Sequence, residues 1–143
     1  MHMLLIDDEP ITTFLTERLL RHEGLSDTAA SFQSPTEALT FLLRQIPAGL
    51  VPQVILLDLN MPSEDGRDAL RLIRNDERLA CVPLVVLSAS ANPRDVQFAY
   101  TSGVNAYHIK PVNHASHLGI LQKIFDYWLV DILLPTQRSL KPS

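Results

Sequence analysis

Five residues in this chain could act together on one reactant: Asp7, Asp8, Asp58, Ser88 and Lys110. All stand at the ends of short apolar runs. Three carboxylates brought together would repel one another and raise each other's pKa unless a cation sat among them. Hard oxygen ligands, few in number and open to water, suit Mg²⁺. Lys110 adds a second positive charge able to hold an anion, and Ser88 adds a hydroxyl donor. Such a set receives an oxyanion at a carboxylate. Phosphoryl transfer fits, because it asks for positioning and charge neutralisation more than for covalent chemistry. Asp58 is then the nucleophile, since carboxylates form acyl-phosphates. Singly, Asp58 reads equally well as a helix cap and Asp7 with Asp8 as acids at a helix N-terminus. Lys110 alone reads as a surface lysine and Ser88 as a cap. Their joint occurrence at strand ends carries the reading.

These residues meet only if the runs before them are parallel strands of one sheet. Val54 to Leu57 is unbroken and apolar, which suits a strand buried on both faces. It stops at Asp58, where the carboxyl edge of a sheet opens, the edge at which open α/β sheets hold ligands. Asn60, Met61, Pro62 and Gly66 then supply loop chemistry. Met3 to Ile6 runs into Asp7, Asp8 and Glu9 in the same way. Pro10 suits the first turn of a helix, with Ile11, Phe14, Leu15 and Leu19 at helical spacing to about Arg21 and Gly24 as the stop. Thr28 to Phe32 is a weaker strand. Ser34 and Glu37 form a capping box for a helix carried by Ala38, Leu39, Leu42, Leu43 and Ile46 to Pro47.

From Gly66 a third helix turns Ala69, Leu70, Leu72 and Ile73 inward and Arg67, Arg71 and Arg74 outward. Leu84 to Leu87 is a strand ending in Ser88-Ala89-Ser90. Pro93 starts a helix with Val96, Phe98, Ala99 and Tyr100, closed by Gly103. Asn105 to Ile109 is a short strand before Lys110-Pro111, and a last helix runs from Asn113 or His114 to about Leu133. Strand followed by helix, five times over, predicts right-handed crossovers onto one parallel sheet with helices on both faces.

A chain of 143 residues, 46% hydrophobic, is long enough for one domain with a sizeable core. A net charge of −4 and no Lys/Arg cluster argue against nucleic acid as a partner. One cysteine, Cys81, makes no internal disulfide and fits a reducing compartment. The N-terminal apolar run is too short for a signal peptide, and no run reaches membrane-spanning length, so the expected location is cytoplasmic, with no membrane partner.

Asp7-Asp8, the stretch from Asp58 to Gly66 (DLNMPSEDG), Ser88-Ala89 and Lys110-Pro111 together resemble the receiver domain of two-component response regulators. The resemblance covers Met3 to about Leu133. It implies a doubly wound, flavodoxin-like α/β fold of five parallel strands in the order 2-1-3-4-5. It implies that Asp58 takes a phosphoryl group from a phosphohistidine on a sensor histidine kinase. Asp8, Asp58 and the carbonyl of Asn60 would bind Mg²⁺, with Asp7 acting through water, while Ser88 and Lys110 hold phosphoryl oxygens. Tyr107 falls where the family has an aromatic switch, Ser90 and Asn60 fall where residues tune phosphate lifetime, and Pro111 follows a bond usually cis. The function implied is a phosphorylation-controlled switch or relay, a single domain over 1–134 with a loose tail at 135–143.

The last helix carries Leu118, Leu121, Phe125, Trp128 and Ile132 in one stripe, with Ile120, Ile124, Tyr127 and Val130 as further apolar surface. That second surface predicts a homodimer through the C-terminal helix. The segment FDYWLVDILLP also resembles the ending of receivers that pair with phytochrome-type histidine kinases. Two other functions compete. A phosphohydrolase of small substrates with an aspartyl nucleophile would place a second acid two residues after Asp58, where Asn60 stands. A flavin or nucleotide carrier would place a Gly-rich phosphate loop after the first strand, where none occurs.

Overall fold

The computed structural model describes residues 3–24, 29–32, 34–49, 51–60 and 66–131. Five strands, β1 (Met3–Ile6), β2 (Ala29–Phe32), β3 (Val54–Leu57), β4 (Leu84–Ser88) and β5 (Ala106–Ile109), form one sheet. The order is β2-β1-β3-β4-β5 and every pairing is parallel. The helices between and after them are α1 (Pro10–His22), α2 (Pro35–Gln45), α3 (Gly66–Asn75), α4 (Pro93–Thr101) and α5 (His114–Phe125). The doubly wound fold expected from the alternation is the fold observed.

Strand alternation divides the core into two layers. Leu4, Ile6, Ile55, Leu57 and Val86 pack on one face with Ala38 and Leu42 of α2, Ala69, Leu70 and Ile73 of α3 and Ala99 of α4. Met3, Leu5, Val54, Leu56, Val85 and Leu87 pack on the other with Leu15 of α1 and Leu121 and Ile124 of α5. Each fully buried leucine or isoleucine stabilises the fold by about 1.5–3 kcal/mol. Burial on both faces is why β1, β3 and β4 read as continuous apolar runs.

Local signals start and stop the helices. Ser34 Oγ accepts from the N–H of Glu37 at 3.4 Å, Asn92 Oδ1 from Arg94 at 2.9 Å, and Asn113 Oδ1 from Ala115 at 2.8 Å. Gly24 and Gly103 close α1 and α4 with positive φ of 74° and 102°, where a side chain would be strained.

Some expected faces differ. Leu72 is 58% exposed, and Phe14 and Leu43 are about half exposed, because no described element covers those sides of their helices; Leu20 is buried instead. Arg74, expected outward, folds back onto the protein. The last helix changes form: α5 ends at Phe125 and continues as a π-helix over Asp126–Asp131. Ile124, placed by its spacing on the second surface, is buried beside Phe125, and Tyr127 and Val130 remain exposed. Thr28, Met61 to Asp65 and everything after Asp131, including Ile132 to Leu134 and the tail, lie outside the described residues. No described helix is long and apolar enough to cross a membrane.

Candidate active site at the carboxyl edge of the sheet

Strand register brings the expected residues together. Ile6 pairs with Leu57, so Asp7 and Asp58 emerge side by side, and the N–H of Asp58 donates to the carbonyl of Ile6 at 2.9 Å. On the other flank Ser88 pairs with Ile109, and the N–H of Lys110 donates to the carbonyl of Ser88 at 2.8 Å. Asp7, Asp58, Ser88 and Lys110 are the charged and polar groups that the fold buries at this edge. Asp7 and Asp58 follow strands that are buried throughout, and Ser88 ends another; Lys110 follows the half-buried edge strand β5.

Lys110 reaches across the sheet. Its Nζ lies 2.8 Å from Asp7 Oδ2, 3.0 Å from Asp58 Oδ2 and 3.0 Å from Glu9 Oε2. Asp7 Oδ2 is nonetheless without a well-directed hydrogen bond, although fully buried. Asp58 Oδ1 accepts from the N–H of Asn60 at 3.0 Å. The side-chain amide of Asn60 donates to Ser88 Oγ at 3.0 Å, so the loop after Asp58 is tied to the end of β4.

Burial pushes the Asp7 carboxyl up to about 6, against the downward pull of Lys110. Burial likewise raises Asp58, opposed by the Asn60 N–H and by Lys110. Burial pulls Lys110 down, but Asp7, Asp58 and Glu9 outweigh it and hold the ammonium above its ordinary range. Two acids kept above their usual range beside a lysine that stays charged describe a site short of positive charge.

One oxygen from each of Asp7, Asp8 and Asp58 falls within 4.8 Å of the others. The donors are all hard oxygens, and Asp7 Oδ2 needs a further partner. The residues therefore fit a small divalent cation.

Gly66 is required at the end of the loop. A Cβ there would stand 2.3 Å from the carbonyl oxygen of Asp58 and 2.8 Å from Leu59 Cα, so α3 begins with its backbone against the end of β3. Tyr107 is half-buried on β5, and its hydroxyl donates to the carbonyl of Ser90 at 2.8 Å. Its N–H, on the free edge of the sheet, donates to the hydroxyl of Tyr100 at 3.1 Å.

The expected cis bond before Pro111 is not found: among the described residues no peptide bond is cis. Trans is the favoured X–Pro isomer by about 0.5–1 kcal/mol, and Lys110 reaches its three carboxylates from it.

Two groups of residues escaped the sequence reading. Glu9 stands at the N-cap of α1 but makes no capping bond; its carboxylate turns to Lys110 instead. Its place beside Asp7-Asp8 was the available signal. Arg67 and Asp95 meet across the site's flank. Both lie in the first turns of helices that leave the same sheet edge, and that shared position was their signal.

A family model for the response regulator receiver domain matches residues 3–122, and the chain belongs to that family. Receiver domains are phosphorylation-controlled switches of two-component signalling rather than enzymes acting on an external substrate. The chain is 32% identical over 135 residues to response regulator Rcp1 of Synechocystis sp., covering 93% of this chain and 92% of Rcp1. The crystal structure of phosphorylated RcpA, a cyanobacterial phytochrome response regulator, superposes with a TM-score of 0.86 at 32% identity, covering 95% of this chain and 100% of RcpA. The Mn²⁺-bound form of Rcp1 gives 0.82 at 31% identity, covering 94% and 98%. Receiver homologues thus carry divalent metal, and here the matching acids are Asp7, Asp8 and Asp58.

Proposed function

We propose that Asp58 accepts a phosphoryl group from a phosphohistidine of a sensor histidine kinase, and that this modification switches the protein between partners or passes the group on. The observation that carries the reading is the contact of Lys110 Nζ with Asp58 Oδ2 at 3.0 Å beside Asp7, with Asn60 linking Asp58 to Ser88. An Asp58 oxygen forms the new O–P bond as the P–N bond to the donor imidazole breaks, and the imidazole leaves with a proton from solvent. Lys110 and Ser88 take the phosphoryl oxygens. Asp7, Asp8, Asp58 and the Asn60 carbonyl would hold Mg²⁺, which supplies the positive charge that the transferring group requires. Tyr107 is the group that reports the state of Ser88 to the β5 surface. Catalysis is confined to the protein's own phosphorylation and dephosphorylation.

The likeness to RcpA supports a phytochrome-type kinase as donor, acting in the cytoplasm. The net charge of −4 favours protein partners over nucleic acid or membrane. The partner on the other side is a second copy of the chain. Tyr127 and Val130 stay 51% and 64% exposed on the π-helix at the end of α5; a two-fold interface would cover them.

Labelling by acetyl phosphate tests the acceptor: Asp58→Asn is expected to abolish it while the far-UV spectrum stays native. Equal labelling of the variant would overturn the assignment. Light scattering tests the dimer: Val130→Asp is expected to reduce the mass to that of a monomer. A monomeric parent chain at tens of micromolar, before and after phosphorylation, would refute it.

A further inference from the structure

Ser90 bonds in four directions. Its N–H donates to Ser88 Oγ at 3.3 Å, and its carbonyl accepts the Tyr107 hydroxyl at 2.8 Å. Its own hydroxyl donates to Asp95 Oδ2 at 2.6 Å and accepts from the N–H of Asn92 at 3.2 Å. The other oxygen of Asp95 takes the guanidinium of Arg67. Arg67 directly follows Gly66, whose backbone is pressed against Asp58 and Leu59 and whose N–H donates to the carbonyl of Leu59 at 3.1 Å. A side chain in the first turn of α3 is therefore in fixed register with the strand end that carries Asp58. The guanidinium groups of Arg67 and Arg71 lie 5.9 and 4.9 Å from the centre of the Phe98 ring of α4, a second restraint on the same contact. Ser90 first, then Arg67, hold Asp95 below the usual carboxylate range, so the ion pair stays charged at neutral pH. With side chains only 28% and 17% exposed, Arg67 and Asp95 are less screened than a surface pair.

We infer that Arg67 and Asp95 are positioning residues: they clamp the turn after β4 to the start of α3, which packs against the end of β3, so that Ser88 and Tyr107 move as one. The inference rests on the reading of Asp58 as phosphoacceptor. When Ser88 Oγ turns to a phosphoryl oxygen, it leaves the N–H of Ser90 and the amide of Asn60. Asp95 keeps Ser90 in place through that change, and the strain passes by the Ser90 carbonyl to the Tyr107 ring. Without the anchor the Ser90 turn shifts independently of Ser88, and the ring is uncoupled. The clamp is a link through α3, additional to the direct path from Ser88 to Tyr107 through Ser90.

Three tyrosines occur in the chain, Tyr100, Tyr107 and Tyr127, so fluorotyrosine labelling of the full chain resolves each by 19F NMR. The parent chain, Asp95→Asn, Arg67→Ala and the double variant are compared in Mg²⁺ before and after acetyl phosphate. In each single variant Asp58 is still labelled, but the Tyr107 response to phosphorylation is lost. In the unphosphorylated chain the ratio of Tyr107 ring settings moves by about tenfold, the change that ~1.4 kcal/mol of lost coupling produces. The double variant goes no further than either single one, because one bridge is broken in all three. Additive effects, or a Tyr107 resonance unchanged in both single variants, would overturn the clamp. Ser90→Ala removes the link to Asp95 while sparing the ion pair, and serves should either variant fail to fold: an unchanged Tyr107 there overturns it equally. If the parent chain takes no label, the phosphoacceptor reading fails, and the Tyr107 comparison in unphosphorylated protein still decides the clamp.

Discussion

Two cations lie under opposite edges of the same sheet. Lys110, at the carboxyl edge, is surrounded by the carboxylates of Asp7, Asp58 and Glu9. Arg74, at the amino edge, spreads its guanidinium over neutral oxygens: the carbonyl of Gly103 at 2.7 Å, of Leu79 at 3.2 Å, of Val82 at 2.9 Å, and Asn105 Oδ1 at 2.9 Å. Burial lowers the Arg74 pKa, whereas the acids around Lys110 overcome burial and raise it. The difference separates a cation spent on neutral backbone oxygens from one set among acids. Arg74 meets no carboxylate among its described partners, so an arriving ion has little there to compete for. It holds the ends of α3 and α4 to the starts of β4 and β5, using the fork geometry that lysine lacks. Lys110 sits among more negative charge than it can neutralise, and an arriving cation or phosphoryl group changes its whole environment.

The contrast is most sharply tested by removing each cation. Lys110→Met leaves Asp7 and Asp58 buried without their partner and is expected to destabilise the metal-free chain by ~3 kcal/mol at pH 8, the lower end for breaking a buried pair. Millimolar Mg²⁺ should recover much of that loss, read as a denaturant midpoint. A variant as stable as the parent without metal would show that Lys110 does not neutralise the cluster.

Titration is next in size. The folded pKa of Asp7, about 6, lies above its ordinary value of 3.8. The folded state therefore binds the proton more tightly than the unfolded one. The stability this proton contributes is complete below pH 3.8 and is lost as pH rises through about 6. Across that window the metal-free chain should lose up to about 3 kcal/mol from Asp7, and Asp7→Asn should lack this component. Affinity for Mg²⁺ should climb over the same window as the carboxylate ionises. A metal affinity flat from pH 5 to pH 7 would contradict the assignment of Asp7 to the cluster.

Arg74→Lys is expected to cost about 2 kcal/mol, the scale of hydrogen bonds from a charged donor, with no change in the response to Mg²⁺. A changed metal response would mean that the two edges are coupled. The smallest effect should follow from Asp8→Ala, which leaves the midpoint without metal almost unmoved but shrinks the stabilisation that Mg²⁺ confers by mass action. An undiminished metal shift would remove Asp8 from the site.

Much of the candidate site was legible in the residues alone. The unbroken apolar runs of β1, β3 and β4 suit strands inside a sheet, and parallel order puts every strand end with its polar successor on one edge. Asp7, Asp58, Ser88 and Lys110 meet for that reason. Helix starts were legible at Ser34 and Asn113 because a cap bonds its own neighbours.

What the tertiary structure alone decided were the partners of long polar side chains and the fate of second apolar stripes. Glu9 and Lys110 stand 101 positions apart, and Arg67 and Asp95 stand 28 apart. No local period relates such positions, and a flexible side chain chooses its partner from whatever the packing brings near. Leu72 and Ile124 show the same limit for apolar residues. Helical spacing placed Leu72 inward and Ile124 on a second apolar surface, yet the first is exposed and the second lies in the core. Periodicity says which residues share a face; only the assembled neighbours say whether that face is covered.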